Sequence, residues 1–222
     1  MSEKVVALGA RRQVNSRKPP LRAVHRISAI FLALFACVHL ANHLVALSGI
    51  AAHIALMETL RAVYRHGLAE AVLLSCVALQ VGSGAWLVLQ RWEQRKGKMA
   101  WLQAASGTYL AFFLPVHVSA VLFGRSVLGL DTNFYFAAAG FHVPPYQYFF
   151  APYYFLAVLA LFTHLGCAAC WRVRPRPRAA QMLALALPMA AGSVVALLIV
   201  LSLAGLVHPV DVPAKYQATY AG

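Results

Sequence analysis

Two stretches of this chain repeat each other: Ser28-Ala-Ile-Phe-Leu-Ala-Leu-Phe-Ala-Cys-Val-His39 and Ser106-Gly-Thr-Tyr-Leu-Ala-Phe-Phe-Leu-Pro-Val-His117. Each sets a Ser eleven residues ahead of a His inside an apolar run. Histidine is costly in hydrocarbon unless it faces a bundle interior and finds a partner there, so the matched pair marks a candidate site. Two neutral imidazoles on opposite sides of a macrocycle, within apolar walls, are what a six-coordinate haem iron takes as axial ligands. Axial ligation is therefore the chemistry His39 and His117 are suited to.

Such ligands need crossing helices, and the composition supplies them. Of 222 residues, 61% are hydrophobic and 11% charged, with a mean hydropathy of +0.69, more apolar surface than a soluble domain can bury. Five stretches, near residues 27–47, 68–90, 101–123, 149–171 and 180–206, are long enough to cross a core of roughly 30 Å at about 1.5 Å per helical residue. The expected fold is all-α, a polytopic bundle of five transmembrane helices. The first stretch does not read as a cleaved signal: it follows a polar basic segment, lacks a small-residue cleavage pattern and precedes further spans.

The net charge of +13 reports orientation rather than nucleic-acid binding. Lys4, Arg11, Arg12, Arg17, Lys18, Arg22 and Arg26 precede the first span; Arg91, Arg95, Lys96 and Lys98 separate the second from the third; Arg172, Arg174, Arg176 and Arg178 separate the fourth from the fifth. Positive charge on cytoplasmic connections predicts an N-in/C-out, multi-pass membrane chain, with lipid as its surroundings and no nucleic-acid partner. Three regions follow: a basic cytoplasmic segment over 1–24, a transmembrane domain over 25–208 and a C-terminal tail over 209–222. On the outer side, Ala51 to Arg61 has the spacing of a short amphipathic helix, and the prolines and aromatics from Phe141 to Phe150 match an interfacial belt.

The repeat extends past one helix. Gln80-Val-Gly-Ser-Gly-Ala-Trp86 in the second span matches His164-Leu-Gly-Cys-Ala-Ala-Cys-Trp171 in the fourth, so the first two spans resemble the next two. Equivalent residues of such a two-helix repeat face each other across the bundle. His39, thirteen residues past Arg26, and His117, sixteen past Trp101, lie about 20 and 24 Å from the inner ends of their spans. Gln80, eleven before Arg91, and His164, eight before Arg172, lie at about 16 and 12 Å and form a second, shallower layer. An amide is a poor axial ligand, so a haem in that layer would be five-coordinate through His164, shifted to another ligand, or absent.

With these elements in place, the chain resembles the cytochrome b membrane anchors of succinate dehydrogenases and fumarate reductases, the single-chain five-helix type with two haems. The resemblance covers residues 22 to 206 and rests on His25-Arg-Ile-Ser28, His39, Ala51-Ala-His, Met57-Glu, Ser106-Gly, His117 and the run from His164 to Trp171. It implies a distal haem b on His39 and His117 and a proximal one on His164 opposite Gln80, where this chain departs from the family pattern. It further implies a quinone substrate near His25, Arg26 and Ser28, and an iron–sulfur subunit and a flavoprotein subunit docked on the cytoplasmic side. The chain itself carries no dinucleotide fingerprint and no ferredoxin-like cysteine array, so it is not expected to oxidise succinate alone.

The remaining polar residues are weighed against plainer roles. Arg26 is equally accounted for by snorkelling to headgroups, and Ser28 and Ser106 by bonding a helix carbonyl. His43, one turn beyond His39, is placed to contact a haem propionate or to replace His39 as ligand, with a polar group near the outer interface the simpler role. His53, His66, His142 and His208 read as ordinary groups of the outer boundary. Glu58 and Glu70 are candidate proton relays, with surface solvation the simpler role for Glu58. Cys37, Cys76, Cys167 and Cys170 fall within spans as small packing residues, and Cys167-Ala-Ala-Cys170 lacks the following His of covalent haem attachment. Two other functions compete: a haem-bearing anchor of another quinone-linked dehydrogenase, and a haem-free transporter or assembly protein.

Overall fold

A computed structural model describes residues 21–220. The basic cluster Lys4, Arg11, Arg12, Arg17 and Lys18 lies outside the described residues, as do the last two positions of the chain. Helices α1 (Leu21–Val45), α3 (Gly67–Gln90), α4 (Lys98–Ser126), α6 (Gln147–Arg172) and α7 (Arg178–Leu203) are each long and apolar enough to cross a membrane. Three shorter helices, α2 (Ile50–Tyr64), α5 (Phe134–His142) and α8 (Ala214–Gln217), complete an all-α chain with no strand among the described residues. This is a multi-pass membrane protein.

The spans pack in the ring order α1–α3–α4–α6, with α7 laid against α6 and touching α1. Helices α1 and α4 stand diagonally and share no extended interface; neither do α1 and α6. The interface of α6 with α7 is close because Gly192 lies against the Phe162 side chain, where an added Cβ would come within 2.4 Å of the Phe162 Cβ. Buried Cys167 and Cys170 belong to the same packed helix, whereas Cys37 is exposed on α1.

The two ends of the bundle differ. At the cap end, where α1 and α7 finish, the short helices cover the bundle with the main buried apolar cluster, which includes Ala46, Phe134, Ala138, Leu203, Val212 and Tyr216. The segment read as a tail is docked there: Tyr216 of α8 is 2% exposed and stacks on Tyr135 of α5, centroids 6.3 Å apart. Helix α5, not foreseen between Asp131 and Phe141, starts where the Asn133 side chain accepts the Tyr135 N–H at 2.9 Å, an N-cap bond. The fifth span stops earlier than its apolar run, because Gly205 at φ +75° takes the left-handed C-terminal position and the Leu206 N–H turns back to the Leu201 carbonyl. Arg91, Arg95, Lys96 and Lys98, with Arg172, Arg174, Arg176 and Arg178, gather at the opposite, basic end, beside the start of α1.

Candidate functional site

On the cap side of the bundle interior, α1 and α4 bring His39 and His117 together across the diagonal, edge to face, with ring centroids 6.1 Å apart and planes at 65°. The repeat is visible in their supports. Phe35, one turn before His39, stacks on it at 5.6 Å and 14°, and Phe113, one turn before His117, stacks at 5.1 Å and 14°. Each aromatic fixes its imidazole plane from the same helix face.

The row continues outward. His43 meets His39 edge-on at 4.8 Å, and His53 of α2 lies 5.2 Å from His43 and 5.3 Å from Phe134. His53 was expected at an ordinary boundary position; it is instead 2% exposed, and its Nδ1–H donates to the Asn42 carbonyl at 2.8 Å. Burial holds its pKa below the usual histidine range, and the nearby Arg61 guanidinium acts in the same direction against the Asn42 bond. By contrast, His142 and His208 donate through Nε2 to the Leu203 and Leu47 carbonyls and fasten the cap, as boundary groups do.

Beyond His53 the charges are paired. Arg61, 7% exposed, meets Glu58 at 2.8 Å and Asp131 at 2.7 Å through Nη1, and Arg125 of α4 meets Glu70 of α3 at 2.5 Å. Glu58 and Glu70 are therefore ion-pair partners in the cap, and Arg65 donates to Thr132 at 2.8 Å beside them.

A second polar layer lies towards the basic end. Gln80 of α3 and His164 of α6 share no hydrogen bond; each pairs with the first helix of its own half-repeat. Gln80 Nε2 donates to His25 Nε2 at 3.1 Å, and the Ser28 hydroxyl reaches Gln80 Oε1 at 2.8 Å and the Val24 carbonyl at 3.0 Å. In the other half, His164 Nδ1–H donates to the Gln103 carbonyl at 3.1 Å, with Ser106 Oγ at 3.3 Å. Ser106 also bonds the Leu102 carbonyl at 2.9 Å, so the carbonyl-bonding role foreseen for both serines is present beside a contact to the polar layer.

The trio His25, Arg26 and Ser28 divides. His25 and Ser28 face α3 within this layer, whereas Arg26 is exposed and makes no hydrogen bond or ion pair among the described residues. A short recurring motif organises the layer: Gln80-Val-Gly-Ser83-Gly84 on α3 and Gln103-Ala-Ala-Ser106-Gly107 on α4 share the spacing Gln-x-x-Ser-Gly. Each Ser contacts a histidine Nδ1 of the helix beyond, and each Gly lies under that imidazole. A Cβ at Gly84 would stand 3.3 Å from His25 Cε1, and one at Gly107 2.9 Å from His164 Cε1. The recurrence of Gln-x-x-Ser-Gly starting at positions 80 and 103 is its signal in the sequence.

No group of three or more His, Cys, Asp or Glu side chains suited to a metal ion occurs among the described residues. A bare ion needs three or four protein ligands, while a porphyrin supplies four nitrogens and asks the chain for one or two. The facing pair fits the second case. Two metal–imidazole bonds of about 2.0 Å, plus about 1.1 Å from each ligating nitrogen to its ring centre, span about 6.2 Å, against the 6.1 Å between His39 and His117. Neither ring makes a hydrogen bond among the described residues, so both keep nitrogens for a ligand. No family model, curated protein or solved structure matches the chain.

Proposed function

We propose that this chain is the membrane-anchor cytochrome b of a quinone-linked dehydrogenase of the succinate dehydrogenase and fumarate reductase kind, in a bacterial cytoplasmic membrane. The observation that carries the reading is the spacing of His39 and His117 on diagonal helices, each backed by a stacked Phe one turn earlier. When bound there, haem b supplies one-electron redox chemistry, passing electrons between an iron–sulfur subunit and membrane quinone. The chain's own part is to orient two neutral imidazoles and exclude water: apolar spans surround them and the cap closes the outer end.

The basic end faces the cytoplasm in this reading, where the iron–sulfur and flavoprotein subunits dock. Of the residues expected at the quinone, Arg26 is the one exposed and without a side-chain partner among the described residues, so it is the charged donor offered to a carbonyl oxygen that gains negative charge on reduction. His25 and Ser28 stand one layer inward.

Purification from its native membrane tests the proposal. The expected result is a b-type absorption spectrum, copurification with flavin and iron–sulfur subunits, and reduction of the haem by succinate. A colourless chain overturns it in favour of a haem-free transporter or assembly protein; haem with a different soluble partner points to the anchor of another dehydrogenase.

A further inference from the structure

The connection between α3 and α4, residues 91–97, carries a charge without an acidic partner among the described residues. The Arg95 guanidinium lies on two indoles at once, 5.4 Å from the Trp92 ring centre and 5.2 Å from that of Trp101, and the indoles meet edge-on at 5.1 Å. Its Nη2 donates to the Val88 carbonyl at 3.1 Å, which fixes the fork, while Nη1 is buried with no hydrogen-bond partner among the described residues. Around it, the two connections at the basic end hold eight cations, from Arg91 to Lys98 and from Arg172 to Arg178, against Glu93 alone. The ion pairs among the described residues all lie in the cap. A shielded cation without a counter-ion is a place for an anion from outside the chain.

Two apolar furrows open beside that charge and share Trp101 and Ala105 as a common wall. One, of about 410 Å³, runs down α4 from Trp92 past Ala104 and Thr108 to Phe112; the other, of about 740 Å³, lies between Lys98, Met99 and Leu102 of α4 and Leu185 of α7. Trp101, Ala105, Thr108 and Phe112 are exposed, so the furrows open to the surroundings of the span and not to the bundle interior. The depth agrees: Trp86, Trp92, Trp101 and Trp171, all the tryptophans of the chain, lie towards this end, and indoles settle at the headgroup level of a bilayer. A cation at that level with two apolar furrows leading inward has the shape of one phosphate carrying two acyl chains.

We propose that this is a binding site for an anionic phospholipid of the leaflet at the basic end, its phosphate held by Arg95 and Lys98 and one acyl chain in each furrow. Arg95 supplies planar donors set in place by the indoles, and Lys98 a point charge on a flexible stem. Helix α4 opens at Lys98 with no side-chain cap, so its first N–H groups add to the attraction that the two side chains provide. An acidic protein segment would satisfy the charges and leave the furrows bare. A zwitterionic lipid would fill the furrows but bring as much positive charge as it neutralises. An anionic lipid answers both.

The test uses the full chain in zwitterionic detergent with phosphatidylglycerol brominated on its acyl chains, which quenches nearby indoles, and brominated phosphatidylcholine as the reference. In the parent, quenching by phosphatidylglycerol is expected to saturate at about one lipid per chain, with a preference over phosphatidylcholine that weakens at high salt. Arg95→Gln and Lys98→Gln each weaken phosphatidylglycerol about fivefold and leave phosphatidylcholine unchanged. Ala105→Phe, which fills the shared wall, weakens both lipids with every charge still present, a loss that a site for free phosphate would not show. Since Arg95→Gln can fail by disturbing the turn, Lys98→Gln and Ala105→Phe, both at exposed positions, carry the same test. Equal quenching of the parent by the two lipids overturns the proposal, as does an unchanged preference in Lys98→Gln or unchanged binding in Ala105→Phe. One-for-one displacement of the brominated lipid by a long-tailed quinone also overturns it and gives the furrows to the quinone.

Discussion

Three histidines in a row on the cap side differ in their fitness as ligands, and the geometry ranks them. A haem between two imidazoles demands ring centres about 6.2 Å apart, from two bonds of about 2.0 Å and the ring offsets. His39 and His117 meet it at 6.1 Å, whereas His39 and His43 stand 4.8 Å apart and edge-on, about 1.4 Å too close to admit an iron. His43 also lies on the same helix as His39, so the two cannot approach one macrocycle from opposite faces. Alanine at position 39 or 117 is therefore expected to remove one full haem per chain, or to leave it five-coordinate and high-spin, while His43→Ala keeps the stoichiometry and the low-spin signal. Haem quantification with electron paramagnetic resonance on the three purified variants reads this directly. Loss of the signal in His43→Ala together with its survival in either of the other two would refute the assignment.

Further outcomes follow from the cap. Asp131, 40% exposed, and Glu58, 57% exposed, both pair with the nearly buried Arg61, so Asp131→Asn should cost about 1–3 kcal/mol in thermal unfolding and Glu58→Gln about 0–1 kcal/mol. Adding Arg61→Met to Asp131→Asn should recover part of the loss, since the damage comes from a guanidinium left underpaired; no recovery argues against it. His53 is held neutral by burial with its pKa below 6.5, so the unfolded chain binds the extra proton. Its contribution to stability is complete above about pH 6.5 and falls as pH drops towards the folded value, by at most about 1.4 kcal/mol per pH unit. Denaturation midpoints measured from pH 7.5 to 5 should therefore fall more steeply in the parent than in His53→Gln, and parallel curves would remove His53 from the account.

The features that were plain in the sequence are those carried by long, periodic signals. Five apolar runs became five spans, and the Ser-to-His spacing placed His39 and His117 on matching faces of two helices, because the helical repeat converts separation into direction and depth. The two polar layers emerged from the same arithmetic. Pairing within the shallower layer did not: depth says that Gln80 and His164 lie at similar levels, but only rotation about each helix axis decides whether they meet, and that rotation sends Gln80 to His25 and His164 to Ser106. The Gln-x-x-Ser-Gly recurrence is five residues long and lies in small-residue sequence that equally suits simple helix packing. His53 was hidden for another reason. Ala51 to Arg61 has one apolar face whether that face meets headgroups or the underside of a protein cap, and the second outcome depends on α5 and α8, elements too short to announce themselves.

The cap itself bears on how the molecule moves. Its tightly interlocked aromatic and aliphatic side chains tie the far ends of α1, α6 and α7 together, while the opposite ends, among the described residues, are linked by brief turns and the shallower polar layer and carry like charges that push one another apart. A sheaf bound at one rim splays most easily at the other. Freedom to part is thus greatest where a soluble subunit would settle, so that docking there can draw the loose ends inward without disturbing the imidazole row beneath the clasp.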